Sequence, residues 1–324
     1  MRFSLFCNWD YPPGASFPTI FDHVEQQAIA AEKAGFLGLW IAEHHFGTYG
    51  CMPTPLMFLS RLSGRTERLL LGTAITQLPH YNAVRLAEDI CYLDAASNGR
   101  LRIGAGTGAK EKEKELEAFG VPAADKLPRT LETLEILGQA LDAGHIDFKG
   151  DFYELNDISV APPPSRPARE LLSLTGRSLT GEAARRGYGL LVPRTARAEA
   201  RAEFVQSYLD APGGTRGPII SLRFVFVADT EREALERTRR TVVRYANDDL
   251  GVRWDGEVGT PVHYELLDRL NFAVGTPEQI IARIEEWGGE FPADEYACHM
   301  FAAGMRHEDV LRSIELFGRE VIGA

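Results

Sequence analysis

The sequence predicts a (β/α)8 (TIM) barrel with insertions. Three observations carry that prediction. Short apolar, strand-like segments alternate with longer segments of helical period along the chain. Eight such strands fall within 324 residues, a length suited to one large barrel. Acidic, imidazole, glycine and hydroxyl residues gather where the apolar segments end, and a parallel barrel collects its functional groups at the C-terminal ends of its strands. The same alternation permits a doubly wound open sheet, the competing architecture. No linker composition interrupts the chain, so residues 1–324 are expected to form a single domain.

Residues 2–7 make the first strand. Residues 18–34 follow as a helix with Ile20, Val24, Ala28 and Ala31 on one face, ended by Gly35. Residues 37–42 form the second strand, 54–65 a helix and 68–75 the third strand. Residues 82–97 are helical, with Leu86, Ile90 and Leu93 sharing a face, and Asn98-Gly99 turns the chain into a fourth strand at 101–105. Residues 127–141 carry Leu131, Leu134, Leu137 and Leu141 at helical spacing. Residues 148–160, with turns at Lys149-Gly150 and Asn156-Asp157, read as a small hairpin excursion, and the prolines at 162–167 as a rigid connector.

The second half repeats the rhythm. Residues 171–174 and 190–192 are the fifth and sixth strands, separated by a short helix at 179–186; residues 196–210 are helical. Residues 219–228, rich in β-branched and aromatic side chains, are the seventh strand. Thr230-Glu231-Arg232-Glu233 and Thr276-Pro277-Glu278-Gln279 are capping-box sequences that open helices. Residues 247–272 lack a clear period and are expected to be an irregular insertion. Residues 296–301 are the eighth strand, and 307–321 a last helix burying Val310, Ile314, Phe317 and Val321.

Hydrophobic residues make up 44% of the chain and charged residues 25%, ordinary for a globular enzyme. The formal net charge of −11 argues against nucleic acid or an anionic membrane surface as the main partner. Cys7, Cys51, Cys91 and Cys298 are scattered, which suits reduced thiols rather than a disulfide framework or a cysteine metal site. No run approaches a membrane span, and the N-terminal apolar stretch is too short for a signal peptide. A soluble, cytoplasmic protein is expected.

The most informative segment is Glu43-His44-His45, directly after the second strand. Neighbouring side chains on a strand point to opposite faces, so only one imidazole would face a barrel mouth. That disfavours chelation of one metal ion by both. His23, His80, His145, His263, His299 and His307 add no H-x-H or H-E-x-x-H spacing. A base, a metal ligand and a structural residue all remain open for His44 on these grounds.

Gly104-Ala105-Gly106-Thr107-Gly108 follows the fourth strand but fails the dinucleotide fingerprint, because its third glycine comes one residue early and a charged segment follows. It is also no P-loop. Glycines at a strand end let backbone approach a flat ligand closely, or simply make a tight turn. Thr175-Gly176-Arg177-Ser178 combines a helix start, hydroxyls and a guanidinium, which suits a phosphate; plain capping by Ser178 is the alternative. Thr73-Ala74-Ile75-Thr76 offers only small, apolar or hydroxyl groups. Phe6, Trp9, Phe46 and Tyr49 lie near strand tops and suit either core or a substrate wall.

In order, these segments resemble the bacterial luciferase-like flavin monooxygenase family. The carrying residues are Ala42-Glu43-His44-His45-Phe46, Leu71-Gly72-Thr73-Ala74-Ile75, Val84-Arg85-Leu86-Ala87-Glu88-Asp89 and Asn98-Gly99-Arg100-Leu101-Arg102-Ile103-Gly104-Ala105-Gly106. They continue with Thr175-Gly176-Arg177-Ser178, Ala183-Ala184-Arg185-Arg186-Gly187, Val274-Gly275-Thr276-Pro277-Glu278 and Ser313-Ile314-Glu315-Leu316-Phe317. The similarity is densest over residues 36–120.

The resemblance implies FMN bound at the strand ends. Reduced FMN would be delivered by a separate reductase and react with oxygen to a C4a-peroxyflavin that oxygenates a small organic substrate. It assigns the flavin cradle to Phe6, Thr73, Ala74, Ile75, Gly106, Thr107, Thr175, Gly176, Arg177 and Ser178, and the substrate wall to Trp9, Phe46 and Tyr49. His44 becomes the acid–base residue; Glu43 either orients it or serves only as a structural partner, and His45 is the structural member of the pair. Ala74-Ile75 is where relatives often carry a non-proline cis peptide. A homodimer is usual in the family, and Leu56, Leu59 and Leu62 offer an apolar face for it.

Two departures stand out. The reactive cysteine and the arginine beside it in the luciferase turn correspond to Gly106 and Thr107, and the phosphate loop lacks the frequent glutamate–serine pair. Light emission is therefore not expected, and Arg177 is the candidate cation for the phosphate. The competing functions are a deazaflavin-dependent oxidoreductase of the same fold, a metal-dependent barrel hydrolase using His44 or His45, and a flavin-binding subunit without catalysis. No nicotinamide fingerprint is present.

Overall fold

The computed structural model describes residues 1–8, 15–47, 50, 52–108, 113–194, 198–212, 216–302 and 304–323. Trp9, Tyr49 and Cys51 lie outside the described residues.

The first half runs β1 (Arg2–Cys7), α1 (Phe17–Lys33), β2 (Gly38–Ile41), α2 (Pro55–Ser63), β3 (Leu70–Gln77), α3 (Ala83–Ala96), β4 (Leu101–Gly106), α4 (Glu113–Ala118) and α5 (Lys126–Ala143). A hairpin of β5 (His145–Lys149) and β6 (Glu154–Ser159) then leads to α6 (Ala168–Leu171). The second half runs β7 (Leu172–Leu174), α7 (Thr180–Arg186), β8 (Gly189–Val192), α8 (Ala198–Asp210), β9 (Ile219–Val227), α9 (Glu231–Leu250), α10 (Pro261–Leu270), β10 (Phe272–Gly275), α11 (Pro277–Glu290), β11 (Glu295–His299) and α12 (His307–Phe317).

Eight parallel strands close into a barrel in the order β1-β2-β3-β4-β7-β8-β9-β11, the last pairing back on β1. All eight point the same way, so their C-terminal ends share one face. The doubly wound alternative is excluded by the closing pairs β8–β9 and β11–β1. Helix starts follow their capping residues. Ser16 Oγ accepts from Thr19 N at 3.3 Å, Asn82 Oδ1 from Arg85 N at 3.1 Å, and Gln279 Oε1 from Thr276 N at 2.9 Å.

A polar cluster lies within the barrel. Trp40 is fully buried, and its Nε1 donates to Glu295 Oε1 at 2.8 Å. Arg102 stacks over the indole at 4.2 Å and reaches the same carboxylate at 2.6 Å. Burial opposes ionisation of Glu295, but Arg102 and the hydrogen bonds from Ser4 and Trp40 outweigh it and hold the carboxyl below its ordinary range. Gly72 makes room for the indole, since a Cβ there would stand 2.4 Å from Trp40 Cε3.

Several expectations need correction. Residues 247–272 are irregular only between α9 and α10: α9 extends to Leu250, and α10 begins at a Thr260-Pro261 cap where the Thr260 hydroxyl accepts from His263 N at 3.3 Å. Phe272–Gly275 is a further strand, pairing alongside the end of β9. Asn156-Asp157 is no turn, since both residues lie within β6, where Asp157 takes a φ of 54° beside a register shift. Leu59 and Leu62 are fully buried in the core, so they offer no outward face, whereas Met57 is exposed. Leu131 is likewise at the surface while Leu134, Leu137 and Leu141 are buried. Cys7, Cys91 and Cys298 are buried. Among the described residues no helix is long and apolar enough to cross a membrane.

Candidate active site

Ile41 ends β2, and the chain leaves the barrel as Ala42-Glu43-His44-His45. The two imidazoles diverge. His44 Nε2 meets Asn8 Oδ1, one residue beyond β1, at 2.9 Å. Its backbone N–H donates to Met52 O at 3.0 Å. Gly50, at φ 61°, lies flat against the ring: a Cβ there would stand 2.0 Å from His44 Cδ2. The half-buried His44 side chain is thus held by a neighbouring strand end and a loop that tolerates only glycine.

His45 turns instead to Glu43, Nε2 to Oε1 at 3.0 Å. Glu43 is fully buried. Its Oε2 accepts from Tyr81 OH at 2.8 Å and from Gln77 N at 3.4 Å, and its backbone oxygen from Gln77 Nε2 at 3.3 Å. The expectation that Glu43 orients His44 therefore gives way: Asn8 meets His44 Nε2, and Glu43 orients His45. Burial opposes ionisation of Glu43, yet His45, His80 and Tyr81 together hold its carboxyl below the ordinary range. The same carboxylate, with burial, pushes the Tyr81 hydroxyl well above its usual range.

The ends of β3, β4 and β7 form a second part of the site. The Ala74–Ile75 peptide is cis, as the resemblance implies. Ala74 and Ile75 pack with Phe6, Trp40, Ala42, Leu191, Ile220 and Ala297 inside the barrel. Ile75, Thr107, Thr175, Gly176 and Arg177 come together around a cavity of about 400 Å³, a size within the usual range for small-molecule and cofactor pockets. Arg201 and Phe204 of α8 complete it. Gly106 is what lets two of its walls meet, because a Cβ would stand 2.8 Å from Ile75 Cδ1 and 3.1 Å from Thr175 Cγ2. Gly176 takes a φ of 107°, open only to glycine at low cost, and turns the chain into the 3-10 turn Arg177–Leu179.

Other candidate residues fall elsewhere. Thr73 is fully buried and donates its hydroxyl to Gly104 O at 3.0 Å, so it ties β3 to β4. Ser178 is exposed beside the cavity. Phe46, at φ 56° and largely exposed, meets Phe119 and His45 rather than the cavity. Trp9 and Tyr49 lie outside the described residues. Arg177 is mostly exposed, 3.5 Å from Glu203. Arg201, buried and paired with Glu290 at 2.9 Å, was not expected from the sequence. Its only signal is the spacing of Arg201, Phe204, Val205 and Tyr208 along one helical face.

The family model described as luciferase-like monooxygenase matches residues 1–291. An uncharacterised protein, y4vJ, of Sinorhizobium fredii is 27% identical over 92% of this chain and 90% of its own length. The oxygenase component of a flavin-dependent trigonelline monooxygenase from Acinetobacter baylyi is 23% identical over 100% of this chain and 95% of its own. Among solved structures, the monooxygenase RslO1 of Streptomyces bottropensis shares the fold at a TM-score of 0.86 and 22% identity, covering 100% of this chain and 99% of that one. The oxygenating constituent of 3,6-diketocamphane monooxygenase from Pseudomonas putida, in complex with FMN, shares it at 0.76 and 19%, covering 99% and 97%. F420-dependent enzymes are also among the similar proteins. With the match over residues 1–291, the chain belongs to the luciferase-like monooxygenase family.

Proposed function

We propose that this protein is an FMN-dependent monooxygenase that uses reduced FMN and molecular oxygen to oxygenate a small organic substrate. The observation that carries the proposal is the cavity at the ends of β3, β4 and β7. Its lining combines apolar Ile75, Pro193, Ala200 and Phe204 with polar Thr107, Thr175, Gly176, Arg177 and Arg201. An isoalloxazine ring with a ribityl phosphate calls for both kinds of contact. The approach of Ile75 and Thr175 across Gly106 makes a cradle that a side chain at 106 would fill.

In this proposal Ile75 supports the ring, and Thr175, Arg177 and the backbone of residues 175–178 hold the phosphate by charge-assisted hydrogen bonds. Reduced flavin, when bound, supplies the electrons that activate oxygen. His44, fixed by Asn8 and Gly50, holds or moves a proton at Nε2 or Nδ1 near the substrate; an imidazole suits that work near neutral pH. Electrons come from a separate reductase, as the name "oxygenase component" carried by the Acinetobacter relative suggests. The work is done by a single barrel domain.

F420-dependent relatives give a second possibility, hydride transfer without oxygen. The two are separated by supplying the protein with an FMN reductase, NADH and candidate ketones, aldehydes or aromatic compounds, and analysing products under labelled oxygen. One labelled oxygen atom in the product supports the proposal. Turnover with reduced F420 and none with reduced FMN would replace it.

A further inference from the structure

We propose that Glu43, His45 and His80 form a binding site for one zinc-type divalent ion, which ties the end of β2 to the turn after β3. His45 Nε2 lies 3.0 Å and His80 Nδ1 3.8 Å from the same oxygen, Glu43 Oε1. One ligand atom from each of the three residues lies within 4.8 Å of the others. A tetrahedral ion with bonds of about 2.0–2.1 Å sets its donors roughly 3.3 Å apart, so small side-chain adjustments bring these atoms into register.

The surroundings are those of a built site. The three side chains are 0%, 8% and 3% exposed in the order Glu43, His45, His80. The carboxylate is divided between two tasks. Oε2 is held from behind by Tyr81 OH and Gln77 N, and Oε1 is left facing the imidazoles. Ligating carboxylates are typically anchored in this way by outer partners. His80 Nδ1 is buried with no hydrogen-bond partner among the described residues, a costly condition that a metal bond relieves.

Phe119 stacks on His80 at 4.5 Å and meets His45 edge-on at 4.8 Å, so apolar surface closes the outer side. Two neutral imidazoles and one carboxylate suit zinc and its transition-metal neighbours, and not the oxygen-seeking magnesium or calcium. The fourth position falls to water. Behind Phe119, and apart from the cavity at Thr175, such an ion is structural rather than hydrolytic. It would steady the residues on either side of His44 and does not depend on flavin binding.

The test uses chelator-treated full-length protein titrated with Co²⁺, whose visible absorption reports nitrogen and oxygen ligation. Saturable binding of one Co²⁺ per chain is expected, displaced by Zn²⁺. His45→Ala and His80→Ala should each weaken it on the order of 100-fold or more, since even outer-partner losses cost about 10- to 100-fold. His145→Ala, which alters only a surface imidazole near Asp157, should leave it unchanged. Zn²⁺ should raise the Tm of the wild type and of His145→Ala, but not of the two ligand variants. Circular dichroism checks each variant, and His80→Gln replaces any alanine variant that does not fold. Failure of the wild type to bind Co²⁺ saturably, or binding that survives loss of either imidazole, would overturn the site.

Discussion

Asn8 Oδ1 stands 2.9 Å from His44 Nε2, so the residue after β1 orients the imidazole that follows β2. Asn8 is buried and acts as a positioning residue. Asn8→Ala should lower kcat by about 10- to 100-fold, the scale of a catalytic group misplaced by about 1 Å. FMN affinity should stay within about twofold, a free-energy change well below the roughly 1.4 kcal/mol that makes a factor of ten. Equal loss in kcat and in FMN binding would indicate a structural defect instead.

Gly50→Ala tests the same ring from its other side. The new methyl would enter at 2.0 Å from His44 Cδ2, and φ 61° disfavours any side chain. The variant should approach the deficit of His44→Ala, on the order of 100-fold in turnover, although the imidazole is still present. Steady-state kinetics of the two variants side by side decides it.

Arg177 predicts a difference between two flavins. Its guanidinium is largely exposed and, among the described residues, pairs with an exposed Glu203 at 3.5 Å, so it is available to a phosphate at little cost. A hydrogen bond to a charged group is worth about 1.5–3 kcal/mol. Arg177→Ala should therefore weaken FMN binding by about tenfold or more and leave riboflavin binding unchanged. Calorimetric titration with both compounds checks this, and equal loss for both would remove the phosphate from this loop.

Glu295 and Arg102 predict a pH dependence of stability. The folded carboxyl titrates below its unfolded value, so its contribution is complete above the ordinary carboxylate range and is lost as pH falls through the folded pKa. Glu295→Gln leaves the Arg102 guanidinium without its buried partner. Urea unfolding near pH 7 should show a loss of about 3–5 kcal/mol. The gap between wild type and variant should narrow as the pH is lowered, because the wild type alone loses this interaction.

Much of the fold is legible in the sequence, for identifiable reasons. The barrel strands are buried on both faces and so read as apolar runs bounded by turns, as in residues 37–42 and 219–228. Ile75 lies near the end of β3, Thr107 follows β4, and Thr175 and Arg177 follow β7, and parallel closure alone is enough to bring them together. The missed parts depend on packing between distant segments. Helix α10 was hidden by the polar residues that precede it, although Thr260-Pro261 carries a cap signal. His80 shows no ligand spacing to His45. It reaches Glu43 because β2 and β3 are neighbours in the sheet and the chain beyond Ile41 runs beside the end of β3, where Gln77 N also meets Glu43. Asn8 carries no signal in the sequence, because an asparagine after a strand reads as an ordinary turn residue.

Anaerobic titration of the protein with reduced FMN tests flavin binding in the cavity most directly, with Gly106→Val as its counterpart. The wild type is expected to bind one flavin per chain saturably. The variant is expected to lose that binding, because its side chain would fill the space between Ile75 and Thr175, while circular dichroism shows an intact barrel. No saturable binding by the wild type, or equal binding by a folded Gly106→Val protein, would contradict a flavin site at these strand ends.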